Sequence, residues 1–326
     1  MATVLVIGAQ GVLGGLIADV LRERGEHRVL VGGRRRENRD GFRFVDLADR
    51  AAIRAALEGV DFTISTVADP QFELERVVVE TGARTINVSS AVLPPGGHGS
   101  IKGNGLAIVH AGLAPLGLEA LIAKELLAQN PEAARLEVAM CLSARGASGR
   151  QGKEFAYAAL TRLPFEAARV IPFTAPVGPR RCVPAAIGER DILQGLSPEI
   201  DANIYVGFSE RFVNGAIGML RASRMIRILP RAMFVNGKSG PARATKEPTR
   251  QWVAIYASDG RRLAARATEG ECDYLTTALC TRAFLDALIE RLKSRNPIGV
   301  HSVERLFTLD DLRPHLPAEV RIRDVA

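Results

Sequence analysis

Gly8, Gly11 and Gly14, spaced three apart, are the residues of this chain best placed to do chemistry. They follow Val4-Leu5-Val6-Ile7, a short β-branched apolar run, and precede Leu16-Ile17-Ala18-Asp19-Val20-Leu21, which has helical spacing. A buried strand, a glycine turn and a helix form the context in which such glycines hold a dinucleotide. Gly8 permits the tight turn, Gly11 lets the backbone approach a pyrophosphate, and Gly14 lets the helix pack closely on the strand. The pyrophosphate would sit on the free N–H groups at the helix N-terminus, where the helix dipole favours negative charge. The ordinary alternative is a strand-turn-helix of some other α/β protein.

The next segment bears on which dinucleotide. His27 to Val31 reads as a second strand, ending at Gly32-Gly33, and Arg34-Arg35-Arg36 follows. An acid about twenty residues past the glycines would bond the ribose hydroxyls of NAD. Gly33 stands near that place instead, and guanidinium forks beside it would bind a 2′-phosphate with charge-assisted bonds. The residues therefore favour NADP over NAD. One of the three arginines reads as an ordinary solvated turn residue.

These residues need a sheet to position them. Phe44-Val45-Asp46-Leu47 reads as a third strand, whose Asp46 would accept a hydrogen bond from the adenine amino group or else cap a helix. Asp61 to Val67 reads as a fourth strand and Thr85 to Val88 as a fifth, ending in Ser89-Ser90. Ligands of open α/β sheets lie beyond the carboxyl ends of the strands, which sets Thr66 to Asp69 along the nicotinamide half. The expected cofactor-binding set is Gly8, Gln10, Gly11, Val12, Gly14, Arg34, Arg35, Asp46, Leu47, Thr66, Val67 and Ser89.

Asp61 to Val67 and Thr81-Gly82-Ala83-Arg84-Thr85-Ile86-Asn87-Val88-Ser89 resemble the saccharopine dehydrogenase-like NAD(P)-binding family. So do Ala111-Gly112-Leu113-Ala114-Pro115, Asp273 to Ala278, and Gly299 to Phe307 near the end of the chain. The resemblance is dense in the first half and in the last sixty or so residues. It implies a Rossmann domain, an inserted α+β substrate domain, and hydride transfer to or from NAD(P). Ala114 stands where the saccharopine-forming branch often has an acid, which points away from an opine substrate. The expected architecture is an α/β, Rossmann-like doubly wound parallel sheet with an inserted α+β second domain. Its expected boundaries are 1–120 for the NADP-binding domain and 121–297 for the substrate and dimerisation domain, with 298–326 packing back on the first.

Composition agrees. A chain of 326 residues, 47% hydrophobic, can build one large or two ordinary cores. It has no apolar run of 18 residues, and its N-terminus begins a strand at once, so neither a membrane span nor a signal peptide is expected. Cys141, Cys182, Cys272 and Cys280 are widely spaced; reduced thiols, no metal cluster and a cytoplasmic setting are expected. The basic residues read as spread along the chain. The net charge of +7 without aromatic interleaving argues for attracting an anionic cofactor rather than nucleic acid.

Later segments read as a strand at Ala107–Val109, a helix at Leu116–Gln129, a strand at Arg135–Ser143, a helix at Lys153–Leu163, a hairpin around Ser258-Asp259-Gly260, and a long helix at Tyr274–Lys293. Pro164 to Pro184 yields no assignment. Arg211 to Phe234 interleaves apolar residues with Arg221, Arg224, Arg227 and Arg231, which reads as one amphipathic helix. A core-packed helix with a solvated arginine face is the plain account. Contact with substrate or a partner ranks next, and an anionic membrane surface last.

Hydride transfer needs an electrophilic carbon held near the nicotinamide and a donor for the heteroatom that gains charge. His110, Tyr157 and Tyr274 are the candidate catalytic residues. Each has a structural alternative, and Lys153 and Tyr157 run in the reverse order to the Tyr-x-x-x-Lys of short-chain dehydrogenases. The function expected is an NADP-dependent oxidoreductase acting on C=O, C=N or C=C of a small or lipid- or polyketide-like metabolite, working as a homo-oligomer. The alternative is a non-catalytic NADP-binding sensor or interaction protein.

Overall fold

The computed structural model describes residues 1–38, 40–89, 97, 99–112, 116–143, 149–161, 168–185, 188–228, 230–235 and 248–325. In chain order, β1 (Ala2–Ile7), α1 (Val12–Arg24), β2 (His27–Gly33), β3 (Phe42–Phe44), α2 (Arg50–Leu57), β4 (Phe62–Ser65), α3 (Glu73–Thr81), β5 (Arg84–Asn87) and β6 (Leu106–Val109) come first. There follow α4 (Leu118–Gln129), β7 (Arg135–Leu142), α5 (Arg150–Thr161), β8 (Arg169–Ile171), β9 (Arg180–Pro184), α6 (Glu189–Gln194), β10 (Asp201–Phe208), α7 (Arg211–Ala222) and α8 (Arg231–Val235). The chain ends with β11 (Thr249–Tyr256), β12 (Arg262–Gly270), α9 (Asp273–Leu292), β13 (Gly299–Ser302), α10 (Val303–Leu306), α11 (Leu309–Leu312) and β14 (Arg321–Asp324).

Two compact units result: Met1–Gly112 with Thr277–Pro317, and Leu113–Thr276 with Ala318–Ala326. The first holds a seven-stranded parallel sheet ordered β13-β6-β5-β4-β1-β2-β3. A parallel sheet is covered on both faces, so its strands are continuous apolar runs rather than alternating ones. Val4 to Ile7 and Leu106 to Val109 are buried throughout. The chain leaves β1 toward β2 and β3, then crosses back to β4 on the other side. This puts a topological switch point at the C-terminal end of β1, the place where ligands of this architecture bind. The fold class is thus the Rossmann-like α/β one expected, with a second sheet domain.

The second unit holds a seven-stranded mixed sheet ordered β14-β12-β11-β7-β10-β9-β8, in which only β7 and β10 run parallel. Trp252, Phe173, Tyr205 and Ile171 pack in its core. Among the described residues no helix is long and apolar enough to cross a membrane. The four cysteines form no disulfide, and burial pushes the Cys141 thiol up to about 12.

Several elements differ from the sequence reading. The third strand is Phe42–Phe44, earlier than Phe44–Leu47; Val45 still donates to the carbonyl of Gly33 but then turns away. The units divide within α9 and not near residue 297. The C-terminal segment also splits: β13 joins the parallel sheet, whereas β14 pairs with β12 in the other. The expected helix over Arg211–Phe234 is broken after Ala222. Arg224 takes a left-handed φ of 59°, and a short 3-10 turn over Met225–Ile228 precedes α8.

Candidate functional site

The glycine turn is built by backbone contacts that side chains would block. Gly8 takes φ 86° and donates to the Gly32 carbonyl at 2.9 Å, while its own carbonyl accepts from Gly11 N at 2.8 Å. A Cβ on Gly8 would lie 2.5 Å from Thr66 Oγ1 and 2.8 Å from Val67 Cγ2. Gly8 therefore lets the end of β4 close against the turn, and Thr66 is fixed there by its hydroxyl, which donates to the Ile7 carbonyl at 3.1 Å. A Cβ on Gly14 would lie 2.6 Å from the Gly8 carbonyl carbon and 2.9 Å from Ala9 N. The close approach Gly14 provides is thus of helix to turn, rather than of helix to strand. Gly11 is exposed and caps α1 through its backbone alone; no side chain caps that helix, and no acid sits in its first turn. Val12 opens α1, half-buried. Such a helix end is suited to an anion, and the glycine cradle fits a pyrophosphate.

At the end of β2, Gly33 is buried and its missing side chain makes room for Gln10, whose Oε1 would lie 2.5 Å from a Cβ there. Gln10 Nε2 donates to the Arg35 carbonyl at 2.9 Å and to Glu37 Oε1 at 2.6 Å. Glu37 is a residue that the sequence reading missed, an acid only four positions past Gly33. Arg34 and Arg35 are exposed, whereas Arg36 lies 4.5 Å over the Phe44 ring. Asp46 Oδ1 accepts from Ala48 N at 3.1 Å in a local turn, and Leu47 packs on the apolar core. Asp69 caps α3, accepting from Leu74 N at 2.9 Å and Gln71 N at 3.2 Å.

Past β5 lies a buried chain of polar contacts. Ser89 donates to Asn87 Oδ1 from both N (2.8 Å) and Oγ (2.6 Å), and Asn87 Nδ2 donates to Glu75 Oε1 at 2.6 Å. The Ser89 backbone N–H fixes which way the Asn87 amide points. Burial pushes the Glu75 carboxyl up to about 7, with the Asn87 bond opposing and Asp69 adding to the rise. Asn87 lies within the segment that carries the family resemblance but is not singled out there, and for Glu75 a Glu among the valines of α3 is the one hint in the sequence. Ser90 and Leu113 to Pro115, including Ala114, lie outside the described residues.

His110 ends β6, buried, with a left-handed φ of 64°. Non-glycine residues held in that region cost roughly 1–3 kcal/mol and concentrate at functional sites. In the second unit, the Tyr274 hydroxyl accepts from Gly149 N at 3.2 Å, and burial raises its pKa above the ordinary phenol value. That hydroxyl ties α9 to the start of α5. Tyr157 lies half-buried on α5, and its carbonyl accepts from Thr161 Oγ1. Arg221 corrects the sequence reading: it is buried, donating to the Leu160 carbonyl at 2.8 Å and the Pro184 carbonyl at 3.3 Å, and is not on a solvated face.

Glu26, His27 and Asp286 bring three metal-type ligand atoms within 4.8 Å of one another. Arg24 and Arg282 each stand 3.9 Å from Asp286, so the cluster is an ion-pair group already supplied with cations.

The model of the NAD dependent epimerase/dehydratase family matches residues 4–88, the segment that holds this turn. Apo histidine-tagged saccharopine dehydrogenase (L-Glu forming) from Saccharomyces cerevisiae has a TM-score of 0.63 at 13% identity, with 100% of both chains covered. A mutant meso-DAP dehydrogenase with DAP from Clostridium tetani has a TM-score of 0.50 at 11% identity, covering 98% of this chain and 97% of that one. The comparison with curated proteins finds no match. The chain thus carries the fold of NAD(P)-binding dehydrogenases from end to end, and the resemblance to saccharopine dehydrogenase holds at the level of the fold.

Proposed function

We propose that this protein is an NADP-dependent oxidoreductase. Its substrate is a C=O, C=N or C=C group of a small or lipid- or polyketide-like metabolite. The observation that carries the reading is the turn from Gly8 to Gly14: a side chain at Gly8 or Gly14 would strike the turn's own walls, and α1 begins with no side-chain cap. That arrangement suits a pyrophosphate bound through backbone N–H groups. The nicotinamide, when bound, supplies or takes the hydride. This chain's residues bind and orient it: Thr66, Val67 and Ser89 border the half of the sheet beyond β4 and β5, and His110 closes the next strand. His110, Tyr157 and Tyr274 remain the candidates for handling a proton. The Tyr274 hydroxyl already accepts from Gly149 N, and its pKa is raised. The functional form is a homo-oligomer in the cytoplasm.

Arg34 and Arg35 support NADP, being exposed next to Gly33. Glu37 supports a second reading, NAD, because a carboxylate near this strand end accepts from ribose hydroxyls and repels a 2′-phosphate. The test is titration of NADPH and NADH into wild type, into Arg34→Ala with Arg35→Ala, and into Glu37→Gln. Loss of charge-assisted bonds of roughly 1.5–3 kcal/mol each predicts at least tenfold weaker NADPH with NADH little changed. Equal losses for both cofactors, or a preference for NADH that Glu37→Gln abolishes, select the NAD reading. Turnover on a panel of carbonyl, imine and enoyl substrates separates the enzyme from a non-catalytic sensor.

A further inference from the structure

Among the described residues, the outward face of α7 is apolar and exposed. Phe212, Gly215, Met219 and Ala222 recur at helical spacing and are exposed; Phe212 is 85% and Met219 68% accessible. Met225 (53%) and Ile228 (75%) continue the face past the break. The opposite face is firmly anchored. Asn214 exchanges two bonds with the backbone of Phe208, Arg221 holds the Leu160 and Pro184 carbonyls, and Val213 and Ile217 pack beside Val183 and Phe208. The exposed side chains are therefore held outward by a helix that has no freedom to roll.

The sequence of this region is one-sided in charge, although Arg221 is buried and Arg231 is paired with Glu154. From Arg211 to Lys246 the sequence has eight arginines and lysines and no acid. Eight exceeds the net charge of +7 for the whole chain, so the remainder is close to neutral. The basic residues are spread along the chain, most of the 43 lying elsewhere, but only here do so many stand without acids among them. Arg211 and Arg224 flank the apolar face and are exposed.

We propose that this face docks on an anionic phospholipid surface. Phenylalanine and methionine would enter the boundary between headgroups and acyl chains while the arginines meet lipid phosphates, the pattern of interfacial helices. Charge selects this occupant over a second copy of the chain. A two-fold contact would set the exposed Arg211 and Arg224 against their own copies, and like charges would oppose it.

The test is flotation of the full chain with vesicles of phosphatidylcholine alone and with 30% phosphatidylglycerol, at physiological ionic strength. Binding is expected only to the anionic vesicles. Each of Arg211→Ala and Arg224→Ala should lower partitioning about fivefold, as removal of one surface-bound cation implies. Phe212→Ser with Met219→Ser should lower it at least tenfold, with an unchanged circular dichroism spectrum and melting curve. No binding to anionic vesicles, equal binding to both kinds, or binding insensitive to these substitutions would overturn the proposal. So would a homodimer, seen by light scattering, that Phe212→Ser with Met219→Ser dissociates, because the face would then belong to a second copy.

Discussion

Replacing Glu75 by glutamine should remove a pH dependence of stability. Its carboxyl is fully buried between α3 and β5 and is pushed from an ordinary 4.5 to about 7, chiefly by desolvation. Below pH 4.5 both the folded and the unfolded chain carry the proton, and the group costs nothing extra. Between 4.5 and 7 the unfolded chain ionises while the folded one does not, so stability falls as pH rises. Above 7 the loss is complete. At about 1.4 kcal/mol per pH unit of separation, the whole window is worth about 3 kcal/mol. Glutamine cannot ionise, yet its carbonyl oxygen can still accept from Asn87 Nδ2, whose direction is set by the Ser89 N–H. Urea unfolding of wild type and Glu75→Gln between pH 5 and 8 is the assay. Glu119 and Asp286 are also raised by burial, so the wild-type curve contains more than one such group. The difference between the two proteins isolates Glu75. It should move in favour of the variant by about 2–3 kcal/mol from pH 5 to 8. Two parallel curves, with a constant offset at every pH, would refute the assignment.

The glycines allow a contrast. Gly14→Ala drives a Cβ into the Gly8 backbone and should destabilise by roughly 1–3 kcal/mol, whereas Gly218→Ala meets nothing within 4 Å and should stabilise α7 by about 1 kcal/mol; thermal melts check both. Gly11→Val should nearly abolish nucleotide binding in calorimetry, at a cost in stability of only about 1 kcal/mol, because Gly11 is exposed and its Cβ would meet the Gly8 carbonyl at 3.2 Å. Arg221→Ala strips two buried carbonyls of their donor and should cost about 3 kcal/mol in urea unfolding, with no direct effect on cofactor affinity.

The middle of the parallel sheet was legible because β1 and β6 carry short, apolar, β-branched runs, and because glycines punctuate the ends of β1 and β2. Val4 to Ile7 and Ala107 to Val109 needed no tertiary information. The second unit was legible only where an element had its own local stop signals, as α4 does at Asn130-Pro131 and the β11–β12 hairpin does at Asp259-Gly260. The β8 and β9 strands lie in a proline-punctuated stretch whose pairing is set by neighbours in the sheet, and β14 is mostly charged and pairs only because β12 offers an edge. Arg221 was misread for a related reason. Its spacing in the sequence matches that of the solvated arginines, and only the fold places two bare carbonyls, from α5 and β9, within its reach.

The cofactor site shows the same limit at finer scale. Gly33 was read as an absence, a strand end lacking the acid that NAD requires. In the structure the absence is occupied: Gln10, twenty-three positions earlier, fills the space that a side chain at 33 would take. Gln10 in turn holds Glu37 and the Arg35 carbonyl. A side chain introduced at 33 would push Gln10 aside, since its amide is the far end of a flexible chain, and would release Glu37 at the same time. The glycine, the glutamine, the arginine pair and Glu37 are therefore held as one unit. On the proposed function, cofactor preference would rest on the balance between the Arg34–Arg35 pair and a carboxylate held by Gln10. No single position in the sequence can report that balance, because each residue's effect on a 2′-phosphate depends on where the other three are held.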